Sequence, residues 1–187
     1  MTQNGGTMRQ TFLLALLTLA MSTGCSISSK IKKLDEEEYD HYMALRVYLD
    51  RPDARGERSK DERKAYFKNK TREERDQWLK DKGLWDKFYQ YDAHIREKIV
   101  QGAVQVGWDK HMVYQSWGMP FVRRKLPGRQ AQRSELFVYR FEVRKDGVHQ
   151  VWVKGSKDTY KAQRLYTKEL IVDDDKITEI KEREGQW

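Results

Sequence analysis

A chain of 187 residues has the length of one domain, or of one domain with an extension. Its charged fraction of 35% exceeds the usual quarter, yet six Trp, ten Tyr and six Phe supply apolar surface that a disordered chain lacks, so a folded protein with a very polar surface is expected. The net charge of +8 predicts acidic partners, and the single cysteine, Cys25, excludes an internal disulfide and a zinc site built on thiolates.

Residues 12 to 21 read FLLALLTLAM, uncharged and apolar, with Arg9 the one charge before them. A spanning helix needs about 20 apolar residues, so this run has the length and flanks of a signal-peptide core. Starting at Met8 gives the more compact leader; residues 1–24 are expected to be the signal peptide. Small residues Ser22, Thr23 and Gly24 then precede Cys25. This arrangement resembles the lipobox of bacterial lipoproteins, with Ser22 where Leu is usual. The resemblance implies a diacylglyceryl group on the Cys25 sulfur, cleavage before it and acylation of the new amine. The alternatives are an ordinary cleaved signal with a chance cysteine, or a buried core cysteine. Exported proteins usually pair their cysteines, so a lone thiol at this spot fits lipidation better. A three-chain lipid anchors a protein far more firmly than the single acyl chain that binds only marginally. Ser26, where Asp would retain the protein at the inner membrane by the enterobacterial sorting rule, implies the periplasmic face of the outer membrane. Loss of residues 1–24 removes only Arg9, so the charge falls from +8 to +7 and stays with the mature chain.

Residues 25–92 are expected to form a lipid-anchored helical extension. Tyr42, Leu45, Tyr48 and Leu49 share one face of a helix from Leu34 to Asp50, which Pro52 ends. RPDARGERSKDE reads as a polar linker around Gly56. A helix with Ala65, Tyr66 and Phe67 follows, then one opened by a Thr71/Glu74 capping box and stopped at Gly83. The acids of DEEE and TREERD read as solvated helix faces. Leu84, Phe88, Tyr91, Ile95 and Ile99, at steps of four, three, four and four, predict one helix from Leu84 to about Gly102. Asp109 is the expected N-cap of a short helix with Val113 and Trp117 on one face, closed by Gly118 and Pro120.

Strand signals begin at SELFVYRFEV, where Phe137, Tyr139, Phe141 and Val143 alternate with Arg140 and Glu142. Asp146-Gly147 predicts a hairpin into VHQVWV. YKAQRLYTKELIV and KITEI predict a second pair across Asp173 to Asp175, its last strand short. Helices followed by strands imply an α+β fold, with short helices packed on a small antiparallel sheet.

Gly107, Asp109, Val113, Gly118 and Pro120, followed by Tyr139 and Phe141 in an aromatic strand, resemble the SmpA/OmlA or BamE-like family. The resemblance covers about residues 99 to 183 and gives residues 93–187 as the BamE-like domain. It implies a non-catalytic envelope module that binds other envelope proteins or anionic lipid.

His41, His94, His111 and His149 form no i,i+4 metal motif, and Asp109 beside His111 is better read as a cap than as half of an acid/base pair. Asp173 to Asp175 lack the spacing of a calcium loop. No catalytic residue, metal or cofactor is therefore expected. RRKLPGRQAQR supplies Arg123, Arg124, Lys125, Arg129 and Arg133 without an acid, a candidate anion site or a solvated loop in a long basic connection from Pro120 to Ser134. The first expectation is a lipid-anchored adaptor or assembly module that binds an envelope protein complex through exposed Trp or Tyr. The second is a structural tether that holds anionic lipid or cell wall through the basic loop, and an enzyme of unknown chemistry comes third. Nucleic acid is not an expected partner of an exported protein.

Overall fold

The computed structural model describes residues 27–50, 61–152 and 162–185; the expected leader, Cys25, Pro52 and the expected linker around Gly56 lie outside them. The fold is α+β, with short helices packed against a five-stranded antiparallel sheet.

Helix α1 (Ile27–Ile31) is short, and Ile27, Ile31 and Leu34 pack against the core. Helix α2 (Glu36–Leu49) starts where the Asp35 carboxylate accepts the Glu38 N–H at 2.9 Å, and three acids fill its first turn, where the helix dipole favours negative charge. Tyr42, Ala44, Leu45, Tyr48 and Leu49 form its buried stripe. Helix α3 (Asp61–Tyr66) brings Tyr66 and Phe67 to ring distances of 5.3 and 5.2 Å from Tyr42. Helix α4 (Arg72–Asp81) carries the expected Thr71/Glu74 capping box, and Gly83 follows it at φ +61°.

The single helix expected from Leu84 to Gly102 is two helices, α5 (Trp85–Tyr89) and α6 (Ala93–Val100). Asp92 adopts φ −60° and ψ 155°, which no helix interior allows, and its carbonyl restarts the ladder by accepting from Ile95 and Arg96. Periodicity does not register the break, because Phe88 and Ile99 are buried and Leu84, Tyr91 and Ile95 still pack on the same core.

Helix α7 (Lys110–Trp117) is capped by the Asp109 carboxylate, which accepts from the amides of His111 at 2.7 Å and Met112 at 3.1 Å. It ends at Gly118, whose φ of 78° and ψ of −161° are accessible essentially to glycine alone.

Strands β1 (Val122–Lys125), β2 (Ser134–Val143), β3 (His149–Val151), β4 (Arg164–Asp173) and β5 (Lys176–Glu184) make one sheet in the order β1-β2-β4-β5, and β3 pairs with β2 beyond the end of β1. The basic connection from Pro120 to Ser134 is thus not simply a loop. Val122 to Lys125 add an edge strand, because Val122 pairs with Val138 and the Leu126 amide donates to the Ser134 carbonyl. Strand β5 runs nine residues and is longer than its sequence pattern suggests. Asp174 and Asp175, at φ 46° and 70°, make the tight turn before it, a conformation Asp tolerates better than most residues.

Phe137, Tyr139 and Phe141 of β2 and Tyr166, Leu170 and Val172 of β4 form the buried face under α7. Tyr114 stacks on Phe137 at 5.7 Å, and Trp117 meets Tyr139 and Phe141 edge-on at 5.2 and 5.1 Å, geometries that aromatic quadrupoles favour. Val143, expected in this row, is half-buried beside it. The segment leading into α7 is stitched to the start of β5: the Gly107 amide donates to the Ile177 carbonyl, and the amides of Ile177 and Lys110 donate to the carbonyls of Trp108 and Asp175.

Candidate functional site

The five basic residues singled out in the sequence fall at one end of the sheet, but most of their charge is answered within the chain. Arg123 forks onto Glu135 at 2.8 and 3.0 Å, and Arg133 reaches the same carboxylate at 3.2 Å. Arg129 holds Asp173 through 2.8 and 3.0 Å hydrogen bonds. Asp173 also accepts from the hydroxyls of Ser134 at 2.5 Å and Thr178 at 2.7 Å; Arg129, then Ser134, hold its carboxyl far below the usual carboxylate range. Arg124 and Lys125 are exposed and make no ion pair with a described residue. The cluster is therefore mainly a clamp that ties β1 and the 126–133 turn to β2 and β4.

A second polar cluster was not legible in the sequence. Glu38, one of the acids expected on a solvated face, is 2% exposed; it accepts from Arg75 through Nε and, at 2.9 Å, Nη2, and from the Tyr66 hydroxyl at 3.1 Å. One turn on, His41 is fully buried, with Nδ1 hydrogen-bonded to the Tyr89 hydroxyl at 2.9 Å and Nε2 3.7 Å from Asp76. Burial pushes the imidazole below its usual value, with Asp76 pulling the other way; burial also raises Asp76 and lifts the Tyr89 phenol to about 12. Such a phenol stays protonated and serves as a structural hydrogen-bonding group. Tyr89 also lines a groove of about 350 Å³ between α2 and α5–α6, whose rim carries Glu36, Glu37, Asp40 and Glu97 against Arg96.

The sheet has a second face, and its composition is different. Strand alternation turns Val122, Leu136, Val138 and Ile171 away from α7; each is half-buried and none belongs to the core or packs against it. They are neighbours by register, since Val122 pairs with Val138 and Leu136 with Ile171. Around them on the same face stand Arg124, opposite Leu136, Glu169, opposite Val138, and Lys181, opposite Glu169. Arg183 reaches Glu169 at 3.1 Å, and Arg140 lies 3.7 Å over the Phe121 ring, itself 6.0 Å from Trp152. An apolar centre with a charged rim is the anatomy of a protein-binding patch. The signal was present in the sequence as the second phase of the β2 alternation, Leu136 and Val138.

The expected aromatic anchors are mostly inside: Trp108 and Trp117 are buried, and the exposed large hydrophobic side chains among the described residues are Tyr39, Val100, Val106, Met119 and Val148. His111 meets the Tyr48 hydroxyl at 3.3 Å, and Asp109 serves as the cap. Among the described residues no group of three or more His, Cys, Asp or Glu side chains is placed to hold a metal, and no helix is long and apolar enough to cross a membrane. No protein-family model, curated protein or solved structure matches the chain.

Proposed function

We propose that this protein is a lipid-anchored, non-catalytic envelope module, held at the periplasmic face of the outer membrane through Cys25, that binds an envelope protein through the outer face of its sheet. The observation that carries the binding role is the patch of Val122, Leu136, Val138 and Ile171, half-exposed and rimmed by Arg124, Glu169 and Lys181. Apolar side chains gain from leaving water, and a charged rim selects which partner covers them. The leader and Cys25 in the sequence support the anchor. The Asp109-capped helix closed by Gly118 in front of an aromatic antiparallel sheet supports the BamE-like reading of residues 93–187. The internal ion pairs of Arg123, Arg129 and Arg133 weigh against the tether that grips lipid or cell wall through the basic loop.

A photo-crosslinking amino acid placed at Val138 or Ile171 in intact cells tests the role. A discrete adduct with one envelope protein is expected at both sites, and its absence at the exposed Lys145 turn serves as the control. Equal, diffuse labelling at all three positions would sink the adaptor reading.

A further inference from the structure

We propose that the helical corner carrying Lys32, Lys33, Lys68 and Lys70 lies on the bilayer surface, its lysines among anionic phospholipid headgroups; the inference rests on the acylation of Cys25 proposed above. Its starting point is the length of chain between the anchor and the fold. Cys25 is two residues before Ile27, the first residue of α1. Two extended residues span at most about 7 Å. The headgroup layer on each side of a bilayer, by the difference between its total and hydrocarbon thickness, is about 5 to 8 Å deep. The leash is thus about as long as the layer it must cross.

Helix α1 does not lengthen that leash. Ile27, Ile31 and Leu34 pack against the core, and the Lys30 ammonium donates to the Phe67 carbonyl at 3.0 Å, fixing α1 to the end of α3. The surface beside α1 must therefore meet the headgroups.

That surface has the charge to do so. Two connections lie side by side here, residues 32–35 between α1 and α2 and residues 67–71 between α3 and α4. Lys30 joins them through Phe67, and Arg72 joins them through Asp35 at 3.1 Å. Lys32, Lys33, Lys68 and Lys70 are all exposed. Of the acids nearby, Asp35 and Glu37 hold Arg72 and Glu74 accepts the Lys70 and Thr71 amides, while Glu36 and Glu73 stand exposed in the first turns of α2 and α4. Lysines at an anionic surface each add to the attraction, which falls off within a Debye length, so a corner held at headgroup depth feels it fully.

The test uses the full chain made in bacterial cells, purified in detergent and reconstituted into vesicles of phosphatidylglycerol and phosphatidylcholine, or of phosphatidylcholine alone. Lysine acetylation is followed site by site by mass spectrometry, and the mass of the peptide bearing Cys25 reports its acylation. In phosphatidylglycerol vesicles Lys32, Lys33, Lys68 and Lys70 are expected to react roughly five-fold more slowly than in detergent, while Lys125, Lys145 and Lys181 of the sheet change less than about two-fold. Acylated Cys25 with all seven lysines reacting alike would overturn the inference and leave the anchor standing. Equal protection in phosphatidylcholine alone would overturn the role of anionic headgroups. An unmodified Cys25 removes the leash, and the anchor reading fails together with the inference.

Discussion

The helical half and the sheet half both bury carboxylates, but they place the arginine partners differently. Among the helices, Glu38 and His41 are buried and linked to tyrosine hydroxyls, and Arg75, the partner of Glu38, is only 13% exposed. In the sheet Glu135 is buried as well, but its partners Arg123 and Arg133 are 40% and 53% exposed, and Arg129, the partner of Asp173, is 38% exposed. The same ion-pair chemistry therefore has different weight in the two places. A buried charge that loses its partner cannot recruit water, whereas an exposed one simply rehydrates.

The sharpest way to break this contrast is Arg75→Ala, which leaves the Glu38 carboxylate buried beside Tyr66. A loss of about 3 to 5 kcal/mol is expected in urea denaturation, and the double replacement Glu38→Leu with Arg75→Met should restore most of it. A smaller effect is expected from pH. Burial lowers the folded pKa of His41 below the ordinary 6.5, so the unfolded chain takes up the proton first. Its contribution to stability is full above about pH 6.5 and is lost as pH falls below that value, with a slope of at most about 1.4 kcal/mol per pH unit. His41→Gln should flatten that part of the stability profile. Smallest of all is Arg129→Ala, which should lower the denaturation midpoint only slightly, far less than Arg75→Ala, because the arginine is solvent-exposed. A midpoint shift as large as that of Arg75→Ala would erase the distinction between interior and rim.

What the sequence made legible was local. The Thr71/Glu74 box, the Asp109 cap and the alternation in β2 each depend on residues a few positions apart, and each is present in the fold. Contacts made across long separations were not legible. Glu38 reads as a solvated first-turn acid until Arg75, 37 residues on, is packed against it. Arg129 reads as a free cation until Asp173, 44 residues on, arrives beside it. The break between α5 and α6 is silent in the sequence for the converse reason, since both sides of Asp92 keep their apolar residues on one core. For the candidate site, the basic run was conspicuous and largely self-satisfied, while the outer sheet face was written in four aliphatic residues that composition does not flag.

The stitching of residues 107–110 to the start of β5 sets an order of events during biogenesis. The amide of Gly107 and the carbonyl of Trp108 find their partners in Ile177, some 70 residues later in the chain. Closing so long a loop is slow, and until it closes α7 lacks the strand that braces its N-terminal end. A chain synthesised N-terminus first thus presents Val113, Tyr114 and Trp117 before β5 is available to complete their seat. That interval is a window for chaperones and proteases, and it closes only when the last described strand joins the sheet.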